Sequence, residues 1–453
     1  MLYGIQDKPK TFKEWILYPL QQVFAVLTAT LLISTICGTP LDAGMAAAGI
    51  GTLVYLILTG FKSPMFVSNA GGTVSAVMGA IALSGGNYLA VIIGGLIVAL
   101  LYAAVALGIK MAGVDWLNKL LPPVVVGSII MVIGINLSKF APTYVQVNGE
   151  YSLAGVIVAL VVMFITAITA KYGKGFLKTI PFLVALACGY IVCLILELFG
   201  IHLINFTAFN NMTVFSLPKF AFLSADFSGF RWEWIPQLII LFVPTSLVLL
   251  TEHVGDHKSL SSVIGTDLIV TPGLHRTLLG DGFGSFIGTL IGAQPNTSYG
   301  ESISCTAVSK VGSTYVIAVA AIMMLLASFF RPLMALFESI PSCIFGGVSL
   351  IAYGYIAFSG LNTLLNSNID YNNTGNVMVV ASILTIGIGG LAFTAGIFSF
   401  SGVSLAMIVG TIMNLIVNNN EKPIRGLRLK SSPADDYCDV SPELITEVTK
   451  SGE

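Results

Sequence analysis

Three carboxylates stand out because of what surrounds them. Glu252 and Asp256 lie in Thr251-Glu252-His253-Val254-Gly255-Asp256, and Glu301 closes Gln294-Pro295-Asn296-Thr297-Ser298-Tyr299-Gly300-Glu301; both stretches sit in apolar sequence of membrane-spanning character. An ionisable group inside a bilayer is costly, so it marks a functional site by default. Glu252 and Asp256 are four residues apart and share a helix face. Two like charges that close, away from water, are not ionised together, so one of the pair is expected to hold a proton near neutral pH. That is what proton coupling requires. Leu238 to Leu250, ahead of Glu252, carries no charge, whereas Asp256 stands beside His257 and Lys258 and has the alternative of an inner headgroup position. The acids are expected to be kept away from bulk water.

Glu301 follows an extended polar piece and opens a short helix. N–H groups freed by that piece and by a helix N-terminus donate to a ligand carbonyl, while a carboxylate accepts from ligand N–H groups. The combination suits a flat heterocycle with alternating N–H and C=O groups. Gly71 and Gly72, in a second polar segment, allow close approach of the backbone. Tyr299 and Tyr353 offer ring contacts, their other reading being core or interface residues. Asp281 in Gly280-Asp281-Gly282 reads as a helix-start residue. Gly280 to Gly284 lacks a preceding strand and a P-loop lysine, so it is a weak phosphate signal. His253 and His275 lack metal-ligand spacing and read as structural. Lys310 reads as an inner-end, positive-inside residue, although it is the one basic candidate for an anion site. Six scattered cysteines without CxxC or Cys/His spacing argue against a disulfide framework or a zinc site. No cofactor motif and no nucleophile–base pair points to an enzyme.

The elements that must position these residues are membrane helices. The chain is 55% hydrophobic and 9% charged, against about 25% charged in soluble domains. Apolar runs of about 20 residues recur, the length that spans a ~30 Å hydrocarbon layer. The polar start Met1 to Glu14 passes into a full-length apolar run without a cleavage site, so the first span is expected to remain. Fourteen crossings place 17 of the 21 basic residues on one side and only Lys139, Lys219, Arg231 and Arg331 on the other. By the positive-inside rule both termini are then cytoplasmic. One expected span, Pro236 to Asp256, ends on the second acid.

Two segments, Met65 to Leu83 and Gln294 to Ser309, are broken. Each begins with a run rich in Gly, Asn, Ser or Thr and leaves only ~12 helical residues, about 18 Å. Extended backbone at ~3.3 Å per residue completes the crossing. It cannot face lipid, so the two pieces are expected to pair with each other. They are third and tenth in order, and Pro122-x4-Gly127 is echoed by Pro341-x4-Gly346. The expected fold is an all-α polytopic membrane protein: 14 transmembrane segments in two inverted seven-segment repeats, with short extended strands in segments 3 and 10. Paired interrupted segments in inverted halves point to a transporter site at the midplane.

Glu252-His-Val-Gly255, Pro272-Gly-Leu-His-Arg276, Asn296-Thr-Ser-Tyr-Gly-Glu301 and Gly346-Gly-Val-Ser-Leu350 fall in an order that resembles the nucleobase–cation symporter family, which includes the nucleobase–ascorbate transporters, and most closely its bacterial uracil permeases. The likeness runs from about Gln21 to Gly360. It implies a cytoplasmic N-terminus (1–14), a substrate-holding core (15–111 and 236–330), a gate (112–235 and 331–417) and a cytoplasmic tail (418–453), with a homodimer formed through the gate. By position, Glu252 and Glu301 look like substrate carboxylates and Gly300 like a backbone donor. Ala29, Ala70, Gly71, Tyr299 and Tyr353 look like pocket lining. A Glu at 301 leans toward uracil.

Several residues depart from that pattern. Asp256 stands where such permeases have a His, Gly71 where a Phe is usual, Gln22 where a His is usual, and Ser302 and Ser304 where Asn and Gly follow the signature acid. The expected function is proton-coupled uptake of a nucleobase, uracil first and xanthine or another purine next, with Na+ as the other coupling ion. The rival is an anion exchanger or channel of the same architecture. No cofactor and no nucleic-acid partner is expected; the bilayer and a small base are.

Overall fold

Apolar runs of membrane-spanning length become helices here because every backbone polar group in hydrocarbon must be satisfied within the segment. The computed structural model describes residues 2–418 apart from 114, 148–149, 175–176, 178–179, 211–212, 368, 396–397 and 401. The expected cytoplasmic tail from 419 onward lies outside the described residues. The chain begins with α1 (Phe12–Cys37), α2 (Leu41–Leu58), β1 (Val67–Asn69), α3 (Val74–Leu83), α4 (Leu89–Ala112), α5 (Asp115–Leu120) and α6 (Pro123–Leu137). It continues through β2 (Gln146–Val147), β3 (Glu150–Tyr151), α7 (Leu153–Tyr172), α8 (Pro181–Leu198), α9 (Ala221–Ser224), α10 (Trp234–Ile264) and α11 (Leu274–Ile291). Next come β4 (Asn296–Ser298), α12 (Gly300–Ser309), α13 (Thr314–Ser328), α14 (Arg331–Glu338), α15 (Ser342–Asn366), α16 (Thr374–Gly389), β5 (Phe393–Ala395), β6 (Phe398–Phe400) and α17 (Gly402–Val417). Among the described residues, eight helices are long and apolar enough to cross a membrane.

The two broken segments pair as their composition requires. β1 and β4 are antiparallel in the register Val67↔Ser298, Ser68↔Thr297 and Asn69↔Asn296. One further bond at each end, Ala70 N–H to Pro295 O at 2.9 Å and Tyr299 N–H to Phe66 O at 3.2 Å, lengthens the ladder. Both strands are fully buried. Side chains from neighbouring helices satisfy their outer edges: the Thr52 hydroxyl donates to Val67 O at 2.8 Å and lies 3.1 Å from Val67 N, and Ser285 donates to Asn296 O at 2.7 Å. Gly51 makes room on α2, since a Cβ there would lie 2.1 Å from the Asn296 amide nitrogen.

The fold is mostly helical, with the two-stranded sheet at its centre. Besides the expected strand pair, β2–β3 and β5–β6 form two short antiparallel hairpins. A second difference concerns α10, which runs to Ile264 rather than stopping at Asp256. Asp256 is therefore a helix-interior residue, not one at a helix end.

Helix packing falls into two groups. In one, α2 and α4 close on α11, and α2 also packs on α13; in the other, α6 and α7 pack on α15, and α16 packs on α6 and α17. Bridging these groups, α10 touches α6 and α17 while α1 touches α8.

Residues 2–8 form a strap across the end of α12. Lys310 is a left-handed cap (φ 58°) whose carbonyl accepts from Leu2 N–H at 2.8 Å. Gly312 and Thr314 N–H groups donate to Tyr3 and Ile5 carbonyls, and the Gln6 amide reaches Phe61 O at 2.9 Å. Tyr3 is buried against Val311 and Val316, and its hydroxyl donates to Glu14 at 2.9 Å. That Glu14 carboxylate also caps the start of α1 in a reciprocal box with Thr11.

Small residues let membrane helices approach closely. At Gly134 of α6 an added Cβ would fall 2.3 Å from Ala357 N and 2.7 Å from Tyr353 O, both backbone atoms of α15. Gly134→Ala is therefore expected to cost about 1–3 kcal/mol through overpacking, read as a lowered melting temperature of detergent-purified protein. Gly354→Ala, where a Cβ meets nothing within 4 Å, is expected to melt like the parent. Equal melting of the two variants would contradict this packing.

Candidate functional site

Each strand of the buried pair hands over to a half-helix. After Asn69 come Ala70, the turn Gly71–Thr73 and α3; after Ser298 come Tyr299 and α12. Because the strands are antiparallel, the two half-helices leave in opposite directions, and their N-termini lie at the pair. The first intrahelical acceptor of α12 is Tyr299 O, taken by Ser302 and Ile303 N–H groups. By helix geometry the N–H group of Gly300 stays available, while that of Glu301 faces its own carboxylate. A Cβ at Gly300 would meet nothing within 4 Å, so that backbone borders open space. Glu301, half-buried, occupies the first turn, where the helix dipole favours a carboxylate.

The acids converge there. Glu252 lies within electrostatic reach of Glu301 and Asp281, and Asp256 within reach of all three. Asp256, half-buried, accepts from the Ser298 hydroxyl at 2.8 Å.

Glu252 lies deep among protein atoms yet borders open space. It is exposed, although Leu249, Leu250 and His253 around it are fully buried. The exposed residues continue at helical spacing through Gly255, Ser259 and Ser262 on α10 and through Gly300, Ser304 and Ala307 on α12. Those faces are polar or small, as water-lined faces are and lipid-facing ones are not. On the other side of Glu252, Thr245, Ser246, Val248 and Leu249 are buried. The acids thus sit at the closed end of a cleft that opens toward Ile264 and Lys310.

The remaining expected residues divide. Ala70 is fully buried in the extended ladder. Tyr299 joins the two broken segments, its hydroxyl donating to Asn69 O at 2.7 Å, so it acts as a clamp as well as a wall. At Gly71 a Cβ would lie 3.6 Å from Ile33 Cδ1 and 3.9 Å from Ile356 Cδ1, so aliphatic side chains occupy the space beside it. A cavity of about 30 Å³ lies between Gly71, Gly72 and Ser75 on one side and α6 with Val403 on the other. Tyr353, buried on α15, stands one turn before Ile356 and near Tyr144 and Cys37. Ala29 is half-buried on α1.

Sequence reasoning missed three features. Asp281 is not a helix-start residue: α11 begins at Leu274, after Gly273 (φ 98°), which leaves Asp281 in the helix interior and fully buried. Its Oδ2 pairs with His253 Nδ1 at 2.9 Å, while His253 Nε2 meets the Thr277 hydroxyl at 3.0 Å. One turn on, His257 Nδ1 lies 2.8 Å from His253 O, which can only accept, so Nδ1 carries the hydrogen; Nε2 faces the Tyr55 hydroxyl at 2.6 Å. Second, Gln22 and Ser302 are not independent departures, because Ser302 Oγ donates to Gln22 Oε1 at 3.0 Å and Gln22 Nε2 reaches Thr306 at 3.1 Å. Third, Ser298 reaches Asp256. Lys310, at the far end of α12 from Glu301, does not face the acids.

The architecture is shared with known transporters. The transmembrane domain of the cyanobacterial bicarbonate transporter BicA aligns at TM-score 0.65 and 16% identity, covering 91% of this chain and all of that one. Murine Slc26a9, an anion transporter solved in an inward-facing state, aligns at 0.63 and 12% over 91% of this chain and 69% of that chain. At these identities the likeness concerns the fold alone: a multi-pass, mostly helical membrane architecture. The chain belongs to the permease family, whose model matches residues 13–396. It is similar to the uracil permeases of Bacillus caldolyticus (38% identity; 91% of this chain, 94% of that one) and Bacillus subtilis (strain 168) (36%; 91% and 94%). The uracil permease of Escherichia coli (strain K12) is 32% identical over 91% of this chain and 93% of its own length.

Removing one partner of a buried hydrogen bond leaves the other polar group unsatisfied, at about 1–3 kcal/mol. His253→Leu is accordingly expected to lower the melting temperature markedly and to reduce the yield of monodisperse protein. A variant that melts with the parent would show that Asp281 does not depend on His253.

Proposed function

We propose that this protein imports a nucleobase, uracil in first place and xanthine or another purine next, across the cell membrane together with a proton. The observation that carries the reading is the convergence of Glu252, Asp256 and Glu301 on the N-terminus of a half-helix whose Gly300 backbone borders open space. Glu252 and Glu301 would accept from the N–H groups of the base, and the free N–H group of Gly300 would donate to a carbonyl of it. Ala29, Ala70, Gly71, Tyr299 and Tyr353 would line the pocket. A proton on Asp256 or Glu252 lowers the charge of the cluster, so that only a loaded and protonated core moves past the gate. Na+ in place of the proton is the second coupling reading. The uracil permeases among the relatives support the substrate class.

The topology proposed with it has fourteen segments in two inverted repeats, a core of 15–111 and 236–330, a gate of 112–235 and 331–417, and a homodimer through the gate. The positive-inside count puts both termini in the cytoplasm, so the cleft at Glu252 would open inward. The anion-exchanger alternative draws on the two solved structures but has only Lys310 as its cation, at the wrong end of α12.

Radiolabelled uracil uptake into proteoliposomes under an imposed inward proton gradient tests the reading. Glu252→Gln and Glu301→Gln are each expected to abolish accumulation. Either variant filling its vesicles as the parent does would remove that residue from the mechanism, and chloride or sulfate flux without any base would favour the exchanger.

A further inference from the structure

Asp256 differs from the other two acids in having a fixed partner. The Ser298 hydroxyl lies 2.8 Å from its Oδ2, and Ser298 is only 1% exposed, so water does not compete for that bond. Ser298 is the last residue of β4, directly before Tyr299 and the half-helix that carries Glu301. Its backbone faces the Asp281 carboxylate, and its strand partner is Val67, which Thr52 holds in place. A single buried serine thus connects an acid on α10 to the strand pair from which both half-helices start.

We propose that Ser298 is a positioning residue for proton coupling: its hydroxyl orients the Asp256 carboxylate and sets the pH at which that group exchanges its proton. This rests on the reading of Asp256 as a proton carrier. A hydroxyl that donates to a carboxylate favours the ionised form, and such charge-assisted bonds are among the stronger ones in proteins. The groups facing Asp256 are Glu252 on its own helix, Glu301 on α12 and Asp281 on α11, all acidic. Lys258, next along α10, is turned to Asp267 instead, and the two histidines are held on the opposite face by Asp281 and Tyr55. Among the described residues the Ser298 hydroxyl is the hydrogen-bond donor that faces Asp256, and the charged groups facing it are all acids.

The test is the pH profile of uracil uptake in proteoliposomes holding parent, Ser298→Ala, Ser298→Thr or Asp256→Asn protein. Ser298→Ala is expected to move the external pH of half-maximal uptake upward by about one unit, the size of effect a lost hydrogen bond to a charged group produces. Ser298→Thr, which keeps the hydroxyl, restores the parent midpoint, and Asp256→Asn flattens the profile. Should the alanine variant fold poorly, Ser298→Cys, with its weak S–H donor, carries the same comparison. An alanine midpoint equal to the parent's, with Asp256→Asn flat, overturns the role of Ser298 alone. A parent profile indifferent to the proton gradient, or an Asp256→Asn profile like the parent's, overturns the coupling reading and the inference together.

Discussion

Extended backbone cannot be left unpaired inside a bilayer, and that constraint shapes this molecule from the centre outward. Six residues, Val67–Asn69 and Asn296–Ser298, are extended in the interior and satisfy one another across a ladder only three pairs long. So short a ladder needs help at its edges. Thr52, Thr30, Ser285 and Tyr299 supply it from α2, α1, α11 and the far side of the pair. The helices that carry these side chains are thereby fixed in position around the pair, with Gly51 allowing α2 close enough to matter. Two half-helix N-termini meeting at the pair are the product of this arrangement, and the one at Gly300 borders open space, as a polar ligand needs.

The acidic cluster takes its character from the same geometry. Glu301 is placed by the strand it follows, Asp256 by a serine in that strand, and Glu252 by its spacing from Asp256 on a helix that continues past both. Behind them, the His253–Asp281 pair joins α10 to α11 entirely out of solvent. The acids facing the cleft are accessible or half-buried, while the one facing the core is paired and fully buried. Burial and pairing thus distinguish the acids available to a ligand from the one that holds the helices together.

Much of this could be read from residue types. The Gly, Asn, Ser and Thr content of the two broken segments, followed in each by too little helix to cross, required strands and required that they pair. The i, i+4 spacing put Glu252 and Asp256 on one face. What could not be read depended on contacts between distant residues. Asp281 sits in a Gly-Asp-Gly triplet that resembles a helix start, and only the break at Gly273 moves that start back to Leu274. The exchange of bonds between Gln22 and Ser302 spans 280 residues. The exposure of Glu252 reflects which side of the cleft is open, and a conformation of that kind leaves no periodic signature in a sequence. The β5–β6 hairpin lies in a stretch that hydropathy alone assigns to the last turns of a helix.

The strap formed by residues 2–8 bears on how the chain is made. Its hydrogen-bonding partners around Gly312 to Thr314 lie about 300 positions downstream, as the bond from Ser313 to Asp7 across 306 residues illustrates. At roughly 5–20 residues per second, a ribosome needs on the order of 15 to 60 s to supply them. The strap residues therefore leave the ribosome long before the segment they dock on, and the contacts of Tyr3, Ile5 and Asp7 with residues 312–314 close late.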